Sequence, residues 1–201
     1  MNKEVIIIGA GGQGRVLADI VNESGDIVYG FLDDNAQSDK NVNIVGRVED
    51  CEKYRDKFFI VGIGNNKLRQ RIVNQYHFLN FYTAIHPSAV ISRNALIGEG
   101  TCVMANAVIN TDAEVGKHCI INTHTTIEHD DTVGDFVHVS PGATLCGTVT
   151  VGDCVHIGAG ATVKNNVRIT SESIIGMGAV VLRNIDTKGT YIGIPATIME
   201  K

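Results

Sequence analysis

A six-residue repeat runs through the second half of the chain and constrains its fold more than any other feature. Sixteen positions spaced six apart, from Ile91 to Val181, are all Ile, Val or Leu. The residue two places earlier is often small or β-branched, as at Ala89 and Thr101, and the following residue is often Gly, as at Gly98. A period of six fits neither an α-helix nor a two-faced strand. A coil with three flat faces places every aliphatic residue inside, which predicts a left-handed parallel β-helix over roughly residues 88–184.

A compact α/β unit is predicted before the repeat. Apolar runs indicate strands at 5–8, 27–32 and 58–63 and helices at 15–22 and 67–76. Gly9, Gly11 and Gly14 form a G-x-G-x-x-G motif between the first strand and the first helix, where backbone N–H groups can approach a phosphate. The unit is too short for the second lobe of a dinucleotide site, so one nucleotide is expected rather than NAD. We therefore predict a Rossmann-like half-domain over 1–82 and a β-helix domain over 83–201.

Polar and glycine residues at the carboxyl ends of these strands are the expected nucleotide-binding residues. The candidate set is Gly11, Gly12, Gln13, Gly14, Asp33, Asp34, Gly64, Asn65 and Asn66. Two simpler interpretations stay open, because glycines also serve tight βα turns and aspartates also occur in solvated turns.

Composition and charge narrow the class of function. The net charge is −5 with no basic run, which argues against nucleic acid or an anionic membrane as the main partner. No apolar run is long enough to span a bilayer, and the N-terminal apolar stretch is too short for a signal peptide. The five cysteines form no C-x-x-C pair, so reduced thiols are expected. A cytoplasmic protein is predicted.

Several short motifs resemble one enzyme family along the whole chain. They are Gly9-Ala10-Gly11-Gly12, Leu32-Asp33-Asp34, Gly62-Ile63-Gly64-Asn65-Asn66, His86-Pro87-Ser88-Ala89, Ile127-Glu128-His129-Asp130 and Gly193-Ile194-Pro195-Ala196. With them the chain resembles the PglD/NeuD-type sugar acetyltransferases of the hexapeptide acyltransferase superfamily. The resemblance implies an acetyl-CoA-dependent homotrimer with active sites between adjacent β-helices. It implies N-acetylation of a nucleotide-activated amino sugar, such as a UDP-linked 4-amino sugar, with O-acetylation of a sialic acid as the alternative.

His129 is the expected general base of such a transfer. It lies at a predicted corner between Glu128 and Asp130, and a carboxylate beside an imidazole can hold it in one tautomer. His129 also matches the base of the family, and by resemblance Asp130 orients it, with Glu128 as the alternative. Gly147, eighteen residues on, is expected to stack against His129 and to offer its N–H to the tetrahedral oxyanion.

The resemblance also places acetyl-CoA in the groove between subunits, with a C-terminal loop over it. His138 is similar to the second active-site His of the family. The candidate residues for acetyl-CoA are His138, Gly147, Ala159, Gly160, Lys164, Gly178, Ile194 and Pro195. Gln13 departs from the family, since many relatives carry His in that turn, and this leaves the nucleotide sugar open. No metal is expected.

Two rival functions are weighed against this one. A γ-carbonic anhydrase-like zinc enzyme also uses a trimeric hexapeptide β-helix, and His124 and His129 have a suitable ligand spacing. The third ligand would then fall at Ser88, and His86 is two residues out of register. The second rival is a non-catalytic protein that binds sugar nucleotides.

Overall fold

The computed structural model describes residues 2–35 and 42–199. The N-terminal elements are β1 (Glu4–Ile8), α1 (Gly12–Glu23), β2 (Ile27–Leu32), β3 (Ile44–Gly46), a 3₁₀ helix (Val48–Tyr54), β4 (Phe58–Val61), α2 (Asn66–Gln75) and β5 (Asn80–Phe81). The five strands form one parallel sheet in the order β3-β2-β1-β4-β5. The three predicted strands and both predicted helices are present. No helix in the described ranges is long and apolar enough to cross a bilayer.

Close backbone packing explains where the observed boundaries differ from the prediction. Helix α1 begins at Gly12 rather than at residue 15, and β4 ends at Val61 rather than at residue 63. Gly14 lies inside the first turn of α1, where a Cβ atom would stand 1.9 Å from the carbonyl oxygen of Gly9. A Cβ atom on Gly62 would stand 2.7 Å from the Cα of Gly14. The helix therefore starts directly against the end of the sheet.

The second half is a parallel β-helix with three faces, as predicted. The first face holds β6 (Ala84–Ile85), β9 (Cys102–Val103), β12 (Ile120–Ile121), β15 (His138–Val139), β18 (His156–Ile157), β21 (Ile174–Ile175), β23 (Thr190–Ile192) and the antiparallel β24 (Thr197–Ile198). The second face holds β7 (Val90–Ile91), β10 (Val108–Ile109), β13 (Thr126–Ile127), β16 (Thr144–Leu145), β19 (Thr162–Val163) and β22 (Val180–Val181). The third face holds β8 (Leu96–Ile97), β11 (Glu114–Val115), β14 (Thr132–Val133), β17 (Thr150–Val151) and β20 (Arg168–Ile169).

The repeated aliphatic residues form the core of the β-helix. Each is the second residue of its strand and pairs with the residue eighteen positions away, as Ile109 pairs with Ile127. From Val103 to Val181 all of them are buried in one cluster, and Ile91 and Ile97 pack against it at the open first coil. The β-helix begins at Ala84, four residues before the predicted start, because β6 already pairs with β9.

A buried arginine joins the two domains. Arg69 on α2 is only 1% exposed. Its guanidinium donates to the carbonyl oxygens of His118 at 2.7 Å and Phe136 at 2.9 Å in the β-helix, and of Ile63 at 2.8 Å in its own domain. Asn66 adds a donor to the β-helix carbonyl of Cys154 at 3.1 Å. The N-terminal domain is therefore fixed on the first face and on the corner that joins the third face to the first.

Candidate active site

His129 lies at the corner that joins the second face to the third, called the catalytic corner below (residues 128–131). Its Nδ1 is 2.7 Å from Oδ2 of Asp130, and its backbone N–H donates to Oε2 of Glu128 at 3.3 Å. Consecutive side chains can meet here because Asp130 has a φ of +60°. The hydrogen bond to Asp130 raises the pKa of His129 above its ordinary value. With Nδ1–H donated to Asp130, Nε2 is left as a proton acceptor.

Gly147 stacks against His129 on the next coil. A Cβ atom on Gly147 would stand 3.0 Å from Nε2 of His129, and its φ is +59°. The N–H of Thr148 donates to the carbonyl oxygen of His129 at 2.9 Å and fixes the two corners together. Among residues 2–35 and 42–199, no group accepts from the Gly147 N–H. Gly147 therefore packs against the His129 ring and keeps an N–H that is not used within the described part of the chain, and its part as an oxyanion donor stays a prediction.

His138 lies on the first face, away from the catalytic corner. Its Nδ1 is 3.3 Å from the carbonyl oxygen of Gly64, and its Nε2 is 3.2 Å from Nδ2 of Asn122. Burial, and then the neighbouring His156 ring at 4.8 Å, lower the pKa of His138 to about 4, so it is neutral at pH 7. Within one chain, His129 and His138 lie on different sides of the β-helix and are not brought together.

A cleft of about 660 Å³ opens at the carboxyl edge of the N-terminal sheet. The predicted residues that line it are Gly11, Gly12, Gln13, Asp33, Asp34 and Gly64. Helix α1 starts here with Gly11 as its N-cap and no side-chain hydrogen bond at that cap. The first turn of α1 therefore lines the cleft, and no side chain in the described ranges caps its N–H groups, an arrangement that suits phosphate binding.

The two aspartates at the end of β2 shape this cleft. Oδ2 of Asp33 accepts the Ala10 N–H at 2.7 Å, and Oδ1 accepts the Asn35 N–H at 2.8 Å. Asp34 lies 3.6 Å from Nε of Arg47 on the opposite wall. Asp33 thus ties the glycine-rich turn to the end of β2 through Oδ2, and because it lines the cleft its contact with a ligand stays a prediction.

Three predicted nucleotide-binding residues do not line the cleft. Gly14 is buried against Gly9. Asn65 caps α2, because its Oδ1 accepts the Leu68 N–H at 2.9 Å. Asn66 is buried and donates to the β-helix. The sequence pattern placed these residues at the correct edge of the sheet, but backbone hydrogen bonds and domain packing occupy them.

The histidines considered as zinc ligands have other neighbours. Nε2 of His86 is 2.8 Å from Oε2 of Glu23, and Nε2 of His124 is 3.5 Å from Nδ2 of Asn106. In the part of the chain that the structure describes, no three His, Cys, Asp or Glu side chains are grouped so that they could hold a metal ion.

Comparisons with known proteins agree with this geometry. Residues 4–76 match the family model of the PglD N-terminal domain, and residues 94–129 match that of the bacterial transferase hexapeptide (six repeats). The acetyltransferase domain of PglB from Neisseria gonorrhoeae is 35% identical with a TM-score of 0.93, over 98% of this chain and 100% of that one. The chain belongs to the PglD-type family of hexapeptide acetyltransferases. The predicted family, left-handed β-helix and enzyme class are thereby confirmed.

Three comparisons concern proteins whose ligand or substrate is named. The same Neisseria gonorrhoeae domain has been solved with acetyl coenzyme A, at 34% identity and a TM-score of 0.94 over 99% of this chain and 100% of that one. PerB from Caulobacter crescentus, solved with CoA and GDP-perosamine, is 35% identical with a TM-score of 0.93 over 98% of this chain and 97% of that one. The UDP-N-acetylbacillosamine N-acetyltransferase of Bacillus subtilis is 39% identical over 111 residues, which is 51% of this chain and 51% of that protein. The match thus spans about half the length of that curated relative.

The acetyl-CoA candidates of this PglD-type chain lie mainly on one corner and at the C-terminal end. Ala159, Gly160 and Gly178 are exposed at the corner between the first and second faces, where Gly178 N–H donates to Ala159 at 2.8 Å. Ile194 and Pro195 are exposed in the loop between β23 and β24. Lys164 is also exposed. Their contact with CoA remains a prediction.

Helix α2 contributes cleft residues that the sequence analysis missed. They are Leu68, Arg71, Ile72, Gln75 and Tyr76. Their spacing of three or four residues puts them on one face of a helix that starts at the carboxyl end of β4, so a helical-face analysis of α2 would have found them. Arg47 follows β3, which the sequence did not predict, and no sequence signal pointed to it.

Proposed function

We propose that this chain transfers the acetyl group of acetyl-CoA to the amino group of a nucleotide-linked amino sugar, with His129 as the general base. The observation that carries the proposal is the stacked pair of His129 and Gly147. Nε2 of His129, oriented through Nδ1 by Asp130, lies against Gly147, whose backbone N–H has no acceptor among the described residues. Acyl transfer to an amine needs these two groups side by side.

Each group has one task in the reaction. Nε2 of His129 takes the proton from the acceptor nitrogen as that nitrogen attacks the thioester carbonyl carbon. The Gly147 N–H donates to the oxyanion, and one such donor contributes roughly 3 kcal/mol. When the C–S bond breaks, His129 returns its proton to the departing CoA sulfur, so the imidazole is neutral again.

The cleft of the N-terminal domain supports a nucleotide on the acceptor. The open N-terminus of α1 suits a diphosphate, and Arg47 and Arg71 add positive charge to the walls. One relative is named for a UDP sugar, and another has been solved with GDP-perosamine. A free sugar acid would leave this cleft empty, so transfer to an amino-sugar nucleotide is preferred over O-acetylation of sialic acid.

A second copy of the chain is needed to complete the site. The N-terminal domain packs on the first face and the adjoining corner, whereas His129 is on the opposite corner with its side chain 57% exposed. A copy docked at the catalytic corner brings its own His138 and cleft toward His129. Three flat faces and three corners suit a homotrimer with three such sites.

The test is release of the CoA thiol from acetyl-CoA with UDP-, GDP- and dTDP-linked 4-amino sugars and with free sialic acid. We expect turnover with at least one amino-sugar nucleotide, none with sialic acid, and a roughly 10²- to 10⁴-fold loss in His129→Ala. His77→Ala is the matched control, since His77 is exposed on the N-terminal domain, where its ring contacts a backbone carbonyl of α2 and the Phe78 ring. Unchanged turnover in a correctly folded His129→Ala protein would refute the assignment of the base.

A further inference from the structure

One hexapeptide departs from the rest at a core position. The residue two places before each of the sixteen inward aliphatic residues is Ala, Thr, Ser, Cys or Val, with the single exception of Asp131. This aspartate precedes Val133 and belongs to the same hexapeptide corner as His129. A carboxylate in an apolar core is costly unless hydrogen bonds compensate it, so its position at this one corner requires a reason.

The side chain of Asp131 spans two coils. It is 0% exposed. Its Oδ2 accepts the N–H of Glu128 at 2.9 Å within its own corner, and its Oδ1 accepts the N–H of Val149 at 2.8 Å on the next coil. Thr101 has the equivalent hexapeptide position at another corner, and its hydroxyl bonds only to the next coil among the described residues: it accepts the Cys119 N–H at 2.9 Å and donates to the Gly116 carbonyl at 2.7 Å. Asp131 thus adds a bond within the corner that the hydroxyl at 101 does not make.

These two hydrogen bonds are made to backbone N–H groups close to His129 and to Gly147. The Glu128 N–H immediately precedes His129, and the Val149 N–H follows Gly147 by two residues. We propose that Asp131 is a positioning residue. Through its hydrogen bonds to the two coils, it holds the imidazole of His129 against Gly147. The inference rests on the proposed function, because it assigns that geometry a role in acetyl transfer.

The chemistry of the carboxylate matches this role. Only an ionised carboxylate accepts both backbone N–H groups at once, since a carboxylic acid or an amide turns one acceptor into a donor. Burial raises the pKa of Asp131 to about 6, while the two backbone hydrogen bonds oppose that rise. The titratable groups that face it are Glu128, His129 and, on the next coil, Cys146. At pH 8 it is ionised and both bonds are made.

Asp131→Asn tests the proposal with the smallest change in volume. Asp135→Asn is the matched control, because Oδ1 of Asp135 also accepts an N–H eighteen residues away, from Lys117 at 2.7 Å, but at another corner. At pH 8 we expect kcat of Asp131→Asn to fall roughly 10- to 100-fold with the KM values of both substrates within about threefold, as for a displaced catalytic group. Asp135→Asn should keep kcat.

A direct distance measurement separates this proposal from the proposed function. In protein with labelled histidine and glycine, a nuclear Overhauser contact between the His129 ring and the Gly147 Hα should be present in wild type and lost in Asp131→Asn. Asp131→Thr, which keeps the coil-to-coil bond in the manner of Thr101, should behave in the same way and serves if the Asn variant does not fold. An unchanged kcat in folded protein, or a retained contact, overturns the proposal. A lost contact in a protein that acetylates none of the sugars tested would support the positioning role and refute the transferase assignment instead.

Discussion

Gly147→Ala is expected to slow acetyl transfer strongly while leaving the β-helix folded. The added methyl group would stand 3.0 Å from Nε2 and 3.1 Å from Cε1 of His129. Both distances are shorter than a normal van der Waals contact. Either the imidazole ring moves away, or the methyl group covers Nε2. The backbone at Gly147 cannot relieve the contact, since the neighbouring Thr148 N–H is bound to the His129 carbonyl oxygen.

The cost to stability is set by the left-handed backbone and is small. A residue with a Cβ atom at a φ near +59° loses about 1–2 kcal/mol relative to glycine. In a chain of this size that lowers Tm by roughly 2–8 °C. Phe136 at another corner and Thr148, the residue that follows Gly147, already adopt a φ of +58°, so the fold tolerates such residues.

The cost to activity is set by the loss of the base and of the oxyanion donor. Blocking one such donor reduces kcat by about 10²- to 10³-fold. Thermal melting and CoA-thiol release at pH 8, measured on the same preparation, separate the two costs. Gly25→Ala is the control: Gly25 has a φ of +84° and open space where its Cβ would stand, so it should lose stability without losing activity. Equal activity of the two variants would refute the placement of Gly147 at the reacting atoms.

Three further predictions follow from other contacts. Asp130→Asn should lower the pKa of His129, which the hydrogen bond to Asp130 raises, so the acid limb of the kcat/KM profile should move to lower pH. The plateau of that profile should fall roughly 10-fold, which is part of the rate that a general base supplies. Arg69→Met should lower the free energy of unfolding in urea by about 3 kcal/mol, because it leaves buried carbonyl groups without donors. It should also raise KM for the nucleotide sugar, since one of those carbonyl groups belongs to Ile63 in the cleft wall. Burial lowers the pKa of His118 to about 4, so as the pH falls this histidine is protonated in the unfolded chain before it is protonated in the folded one. The free energy of unfolding should therefore fall by up to about 3 kcal/mol between pH 6.5 and pH 4, and His118→Phe should flatten that dependence in urea titrations.

The β-helix could be predicted from the sequence because its rule is local and repeated. The inward aliphatic residue in every six marks the position of each strand, and eighteen residues make one coil. The spacing between residues is therefore enough to place Gly147 against His129. The pairing of His129 with Asp130 rather than with Glu128 could not be settled in this way, because it depends on the left-handed backbone at Asp130.

The N-terminal domain was predicted less completely because long-range packing decides its details. Strand β3 has only three residues, too few for a periodic pattern. Arg69 and Asn66 have the sequence of an ordinary solvent-facing helix start, yet the β-helix buries both. Their role depends on carbonyl groups that are 49 to 89 residues away in the chain.

The arrangement of the candidate site follows from the way a β-helix is built. The two residues that we propose as base and oxyanion donor, His129 and Gly147, lie on consecutive coils, so the distance between their backbones is set by the spacing of paired strands, about 4.8 Å. The proposed transfer requires the attacking nitrogen about 3 Å from Nε2 of His129 and the oxyanion about 3 Å from the Gly147 nitrogen. Because backbone hydrogen bonds hold the two coils at their fixed spacing, the donor N–H needs no rearrangement when charge develops on the oxygen. In the proposed function the acceptor is selected in a different domain, by a cleft whose glycine-rich turn, aspartates and α2 residues can change without disturbing the coils. One catalytic corner can therefore serve many nucleotide sugars, and Gln13 in the cleft is where we expect this chain to differ in the sugar it accepts.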